Sequence, residues 1–355
     1  MSRTKSIAHI VLSLEIGGLE VLVAKIVEHQ LKNGSDVHVL CLDQKGRLAE
    51  SLIEQGAKVL VLNRAATKLD MTTIGSIRGY LKANSINMVH THNFEPYIYG
   101  IVATALTNVN LVHSQHGRVI DLTNFKRVFA KFSLLFRPSL VAVSSSVSEH
   151  MKSFGWSREK SSSVILNGVD TKVFAPDQDV KNEYRQTLGF GADELVVICV
   201  ARLASIKDHK TLISSFLSFV GGFTNTRLLI VGDGPLITDL KNFVSASEEH
   251  KDKISFLGER SDIGGLVQSA DIFMLTSSSE GTSVSLLEGM ATGLVPVVTS
   301  VGGNVDIIKP GTNGLLFDSG DSKEGANKLA LLSRDPALCR EMSSCARQTV
   351  IEHYS

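Results

Sequence analysis

The segment Ser279-Glu280-Gly281-Thr282-Ser283-Val284-Ser285-Leu286-Leu287-Glu288-Gly289-Met290 places two carboxylates eight positions apart. Glu280 falls in a loop after an apolar strand-like run, and Glu288 falls inside a helix predicted to begin near Thr282. Carboxylates accept hydrogen bonds from vicinal hydroxyls, so a pair flanking a helix N-terminus suits a sugar on one side and a ribose on the other. The ordinary alternative makes Glu280 a helix N-terminal charge and Glu288 a solvated position. The apolar neighbours Leu286, Leu287, Met290 and Ala291 put Glu288 beside a buried stripe instead.

Two cations precede this segment in Val200-Ala201-Arg202-Leu203-Ala204-Ser205-Ile206-Lys207. They follow a strand and stand just before a helix starting near Asp208, where fixed positive charge and free amide groups together receive a diphosphate. Most Arg and Lys side chains are only solvated surface charge; the position is what marks Arg202 and Lys207. Gly17-Gly18 occupies the turn between the first strand and the first helix. That position also suits a phosphate, since backbone without Cβ atoms can approach an anion closely, although such a turn also serves packing alone. The glycines match neither GxGxxG nor GxxxxGK[ST], which disfavours a nicotinamide dehydrogenase and a P-loop NTPase.

His116, in Ser114-Gln115-His116-Gly117, ends another strand and can offer a hydrogen bond at that edge, where a lone histidine is otherwise structural. His90 and His92 alternate on one strand and so face the same way, as a metal pair would. No third ligand lies near them in sequence, and no metal site is expected.

Positioning these residues requires a series of strand and helix units. Strand-like runs at Ile7–Leu14, Val37–Leu42, Lys58–Leu62, Met88–His92, Leu111–Gln115, Leu140–Ser144 and Val164–Leu166 alternate with helical periods, as in the stripe Leu19, Leu22, Val23, Ile26 and Val27. Asn167 to Asp193 is rich in Gly, Pro and Asp and reads as the interdomain connection. A second series follows at Leu195–Ala201, Arg227–Val231, Ile254–Leu257, Ile272–Leu275, Val295–Thr299 and Gly314–Phe317. The expected fold is α/β, with two doubly wound Rossmann-like domains, 1–172 and 173–355, facing a central cleft beyond the carboxyl ends of their strands.

The 355 residues match that count of domains. With 36 Lys plus Arg against 36 Asp plus Glu, the net charge is zero, so no whole-protein grip on nucleic acid is expected. The cysteines Cys41, Cys199, Cys339 and Cys345 form no CxxC or zinc pattern and fit a reducing compartment. No apolar run has the length of a membrane span, and Met1 to Lys5 lead straight into a strand, so a cytoplasmic protein is expected. Phe125, Val128, Phe129, Phe132, Leu135 and Phe136 make one helical stripe flanked by Lys126, Arg127, Lys131 and Arg137. An aromatic stripe of this spacing ordinarily faces a core; flanked by cations, it also suits the surface of an anionic membrane.

In order, these motifs resemble the retaining glycosyltransferases of family 4, which have the GT-B fold. The resemblance covers nearly the whole chain: Gly17-Gly18, His116-Gly117, Leu166-Asn167-Gly168-Val169-Asp170 with Phe174, Arg202-Leu203 with Lys207, Val231-Gly232-Asp233-Gly234-Pro235, Phe256-Leu257-Gly258, Glu280 with Glu288, Gly289-Met290-Ala291-Thr292-Gly293 and Pro296-Val297-Val298. It implies a nucleotide-sugar donor, UDP-linked, and a glycan or lipid-linked acceptor in polysaccharide or glycoconjugate biosynthesis. It also implies roles. Arg202 and Lys207 meet the diphosphate, with Gly17 and Gly18 nearby; Glu280 holds the transferred sugar, Glu288 the ribose, and His116 the sugar near its reacting carbon. The backbone at Ser283 and Val284 completes the donor cradle, and Glu259-Arg260 lies near the base. No metal and no other cofactor is implied; Asp177-Gln178-Asp179 looks like a metal-binding DxD but lies in the expected linker.

Three departures stand out. Lys207-Asp208 replaces the Lys-Gly of many relatives, Gly-Thr-Ser-Val follows Glu280 where Gly-Phe-Gly is common, and Tyr354-Ser355 is the end where relatives usually continue into a helix crossing back onto the first domain. Two other readings share the architecture. A nucleotide-sugar 2-epimerase would alter its sugar without an acceptor, and a non-catalytic binding protein would show no turnover.

Overall fold

The computed structural model describes residues 5–64, 69–119, 123–157, 162–247 and 249–355. The chain divides into two compact units, Met1–Ile165 and Leu166–Ser355. In the first, strands β1 Ser6–Val11, β2 Asp36–Cys41, β3 Lys58–Val61, β4 Met88–His92, β5 Asn110–Gln115, β6 Ser139–Ala142 and β7 Ser162–Val164 form a sheet of order β3-β2-β1-β4-β5-β6-β7. In the second, β8 Leu195–Val200, β9 Thr226–Val231, β10 Ile254–Gly258, β11 Ile272–Leu275, β12 Val295–Thr299 and β13 Leu315–Phe317 are ordered β10-β9-β8-β11-β12-β13. Every strand pairing is parallel.

Parallel strands are covered by helices on both faces, and the sequence shows it as unbroken apolar runs. Val196, Val197, Ile198 and Cys199 of β8 are all buried, as are all four residues of β11. The order reverses between β1 and β4 and again between β8 and β11, so each sheet has a crevice beyond those carboxyl ends. All thirteen strands read from the sequence are present, with ends displaced by at most three residues.

The linker expectation is corrected. Helix Gln178–Thr187 lies inside Asn167–Asp193 and packs on the second unit, where Arg185 Nη2 meets Asp271 Oδ2 at 2.7 Å and its Nη1 binds the carbonyls of Ala192 and Glu194. Asp177 caps that helix by accepting from the amides of Asp179 and Val180, which accounts for the DxD-like triplet. The boundary falls at 165/166 rather than 172/173 because Val169 and Phe174 are buried in the second core.

The ordinary expectation for the aromatic stripe is also corrected. Helix Asn124–Ser133 and the 3-10 turn Leu134–Phe136 bury Ala130 and Ser133, while Phe125, Val128, Phe132, Leu135 and Phe136 are exposed, Phe132 at 64% and Leu135 at 74%.

Candidate active site

In the second unit the candidate residues gather at the switch point. Arg202 and Lys207 follow β8, Glu280 follows β11, and helix Val284–Ala291 begins directly after them. Lys207 Nζ lies 2.5 Å from Glu280 Oε1, and Ser277 Oγ donates to the same oxygen at 2.6 Å. Glu280 Oε2 has no hydrogen-bond partner among the described residues. Glu280 is buried and Arg202 exposed, and Arg202 makes no side-chain bond or ion pair there. Among the described residues one fixed cation is thus paired with the carboxylate while a second stands free.

Backbone staples hold these loops together. Thr276 Oγ1 donates to the carbonyls of Lys207 and Asp208 at 3.1 and 2.9 Å, and Ser278 N donates to Ile206 O at 2.8 Å. Asp208 adopts a left-handed conformation (φ 44°) and caps helix His209–Val220 through Thr211. Glycine enters such a conformation without steric cost, and aspartate is among the few residues that tolerate it. The Lys-Asp departure therefore keeps the turn and adds a cap.

Two further loops make their approach through glycine. A Cβ on Gly232 would lie 2.2 Å from Ala201 O, and one on Gly234 2.5 Å from Leu203 O, so the loop after β9 rests directly on the backbone of Arg202. Gly302 (φ 51°) and Gly303 approach Glu280 O and Gly281 O in the same way. Ser277, Thr276, Gly302 and Gly303 were not singled out from the sequence; the Gly-Gly pair just after β12 was their one visible sign.

Ser283 caps helix Val284–Ala291 by accepting from Leu286 N at 3.3 Å, and Thr282 O accepts from Asn167 Nδ2 at 3.1 Å. Glu288 is half-buried on that helix. Arg260, after β10, makes a two-pronged ion pair with Asp262 at 2.8 and 2.6 Å, holding that carboxyl down at about 2.

In the first unit, Gly17 precedes helix Gly18–Lys32 with extended backbone, and Gly18 has open space where a Cβ would stand. Strand register sets His9 of β1 beside His90 of β4. His9 is the third histidine that the sequence did not place near His90 and His92, and the donor atoms of the three lie within 4.8 Å of one another. His9 Nδ1 is already hydrogen-bonded to His92 Nε2 at 3.0 Å, and His92 Nδ1 to His116 Nε2 at 3.1 Å. Burial pushes His9 and His116 down to about 4, so these imidazoles are neutral.

Comparison with known proteins gives this architecture its class. Anabaena HepE, solved in complex with UDP and glucose, superposes with a TM-score of 0.84 at 20% identity over 98% of this chain and 95% of its own. That likeness establishes the GT-B fold. An Escherichia coli protein named UDP-Gal:alpha-D-GlcNAc-diphosphoundecaprenol alpha-1,3-galactosyltransferase is 26% identical over 97% of this chain and 92% of its own length. The Campylobacter jejuni N,N'-diacetylbacillosaminyl-diphospho-undecaprenol alpha-1,3-N-acetylgalactosaminyltransferase is 27% identical over 91% and 89%. The model for glycosyl transferases group 1 matches residues 180–349, and that for Glycosyltransferase Family 4 matches 16–173. The chain belongs to these group 1, family 4 glycosyltransferases and is a transferase of sugars.

Proposed function

We propose that the enzyme transfers a hexose-type sugar from a UDP-sugar, with retention of configuration, to a lipid-linked or glycan acceptor in surface polysaccharide or glycoconjugate assembly. The observation that carries this reading is the Lys207–Glu280 pair at the β8/β11 switch point, with Arg202 beside it and a helix N-terminus behind it. Cleaving a sugar–phosphate bond builds negative charge on the departing diphosphate. Arg202, Lys207 and the amides around Ser283 and Val284 are suited to receive that charge, and preorganised donors of this kind are worth roughly 3 kcal/mol each. Gly17 and Gly18 offer further amides from the first unit. Glu280 Oε2 would accept from a hydroxyl of the sugar, Glu288 would bind the ribose, Arg260 would lie near the base, and His116 would meet the sugar close to its reacting carbon. In this reading the diphosphate is neutralised by side chains and amides, so turnover should persist in EDTA.

The UDP link and the lipid-linked acceptor take support from the names of the E. coli and C. jejuni relatives and from the UDP in HepE. Among the described residues no helix is long and apolar enough to cross a membrane. The exposed face Phe125, Phe132, Leu135 and Phe136, with Phe129 half-buried and the cations Lys126, Arg127 and Lys131 around it, suits peripheral attachment to the cytoplasmic leaflet, where a lipid-linked acceptor would lie.

The deciding experiment offers the full chain a panel of UDP-sugars, with undecaprenyl-diphosphate sugars as acceptors, and follows UDP release together with product anomeric configuration. Release of UDP that depends on acceptor and falls in Arg202→Ala and Glu280→Gln supports the reading. A changed sugar without acceptor would make the enzyme an epimerase, and activity indifferent to both substitutions would remove the assigned roles.

A further inference from the structure

A core built for stability alone has little use for a line of histidines, because a buried polar group costs free energy unless it is hydrogen-bonded. Yet His9, His90 and His92 occupy β1 and β4, strands whose neighbouring positions are Ile7, Ala8, Ile10 and Val89. Parallel pairing sets His9 opposite His90 and His92 opposite Ser114, so alternation carries His9, His90, His92 and His116 along one face toward the carboxyl edge. Gln30, in the last turn of helix Gly18–Lys32, stands at the other end, with its Oε1 2.8 Å from His9 Nε2.

The bonds form one line: Gln30 Oε1 to His9 Nε2, His9 Nδ1 to His92 Nε2, and His92 Nδ1 to His116 Nε2. A neutral imidazole has one N–H and one lone pair, so each bond in such a line fixes the next. A carbonyl oxygen can only accept, so His9 carries its proton on Nε2 and must accept at Nδ1. His92 then donates from Nε2 and accepts at Nδ1, and His116 donates from Nε2. What remains at the end is the lone pair on His116 Nδ1, a buried atom that has no hydrogen-bond partner among the described residues. Ser114 Oγ holds His90 Nε2 at 2.8 Å outside the line, and Asn93 Oδ1 fixes the His116 backbone at 3.1 Å.

We propose that Gln30, His9 and His92 are positioning residues that set the tautomer of His116, so that its Nδ1 stands as a hydrogen-bond acceptor for a hydroxyl of the bound sugar. The identity of that hydroxyl rests on the transferase reading; the tautomer does not. An unpartnered buried acceptor costs free energy that a donating hydroxyl recovers on binding. The three strand histidines could be imagined around a metal ion. A metal ion held through His9 Nδ1 and His92 Nε2 would have to displace the proton that the 3.0 Å bond between them holds.

The test is the tautomeric state of each histidine, read from long-range 1H–15N spectra of the full chain labelled in histidine, with no donor or acceptor present. The wild type should show His9, His92 and His116 as Nε2–H tautomers. Gln30→Leu should convert His116 from one tautomer to a mixture of two, while Gln30→Glu, which can only accept at that position, should preserve the single form. A wild-type His116 protonated on Nδ1 would overturn the proposal, and that reading needs no variant. So would a His116 tautomer unchanged in a folded Gln30→Leu, or one equivalent of Zn2+ bound with loss of the His9 and His92 signals. If the tautomers are as stated and no UDP-sugar is turned over, the UDP-sugar donor reading fails and the relay stands.

Discussion

Lys207 and Glu280 meet at 2.5 Å although seventy-three residues separate them, and the contact joins the loop after β8 to the loop after β11. The lysine is 23% exposed and the glutamate 8%, so the pair is held at the rim of the core. Removing one partner of such a pair leaves the other charge without compensation, at a cost of roughly 3 kcal/mol or somewhat less at a rim. Lys207→Met should therefore destabilise the protein more than Lys207→Met combined with Glu280→Gln. Urea unfolding of both single variants and the double would show it. Each single variant should also lower kcat/KM for the UDP-sugar by about a hundredfold or more.

The turn at Asp208 separates strain from capping. Asp208→Gly relieves the left-handed backbone but loses the cap, so the two effects offset within about 1 kcal/mol. Asp208→Ala keeps the strain and loses the cap, and should cost roughly 2 kcal/mol. An alanine variant as stable as the glycine variant would deny that the conformation matters.

Gly302→Ala brings a methyl group to 1.9 Å from Glu280 O. The backbone must shift, and the cost of such overpacking is about 1 to 3 kcal/mol. Because the displaced residue is Glu280, catalysis should fall further than stability: at a temperature where the variant is fully folded, kcat should still drop by about tenfold.

Burial pushes His9 and His209 down from 6.5 to about 4. Between these values the unfolded chain binds protons that the folded chain refuses. The share of the stability that these two histidines carry is thus complete above pH 6.5, falls as the pH drops toward 4, and levels off below. One pKa unit is about 1.4 kcal/mol, so each histidine contributes up to roughly 3 kcal/mol to this slope. Guanidinium unfolding at a series of pH values should show the decline, and His209→Asn should make it shallower.

Attachment through the aromatic face predicts cosedimentation with anionic vesicles that weakens as salt rises. Phe132→Ser should lower the binding constant by roughly tenfold or more, the worth of one buried aromatic side chain. Equal binding to neutral vesicles would remove the part played by Arg127 and Lys131.

The strands of both units were legible because sheets covered on both faces need uninterrupted apolar runs, and β11 and β12 stand where those runs predict. The Arg202, Lys207 and Glu280 cluster was legible because topology brings the carboxyl ends of β8 and β11 side by side. The line from Gln30 to His116 was not, since a three-residue alternation cannot say which strand lies next to it. The aromatic stripe misled for a related reason. Periodicity identifies an apolar face and is silent on whether anything covers it. The linker was misread because Asp177 and Gly189 are as much helix boundaries as they are signs of a loop.

The division at Ile165 and Leu166 leaves Arg202, Lys207, Glu280 and Glu288 on a single continuous stretch of chain, together with the glycine loops that brace them. That half is a cassette. An exchange of halves between relatives at this seam would carry the charged pocket across intact, so new pairings of the two units could arise by recombination without any of these loops having to be rebuilt.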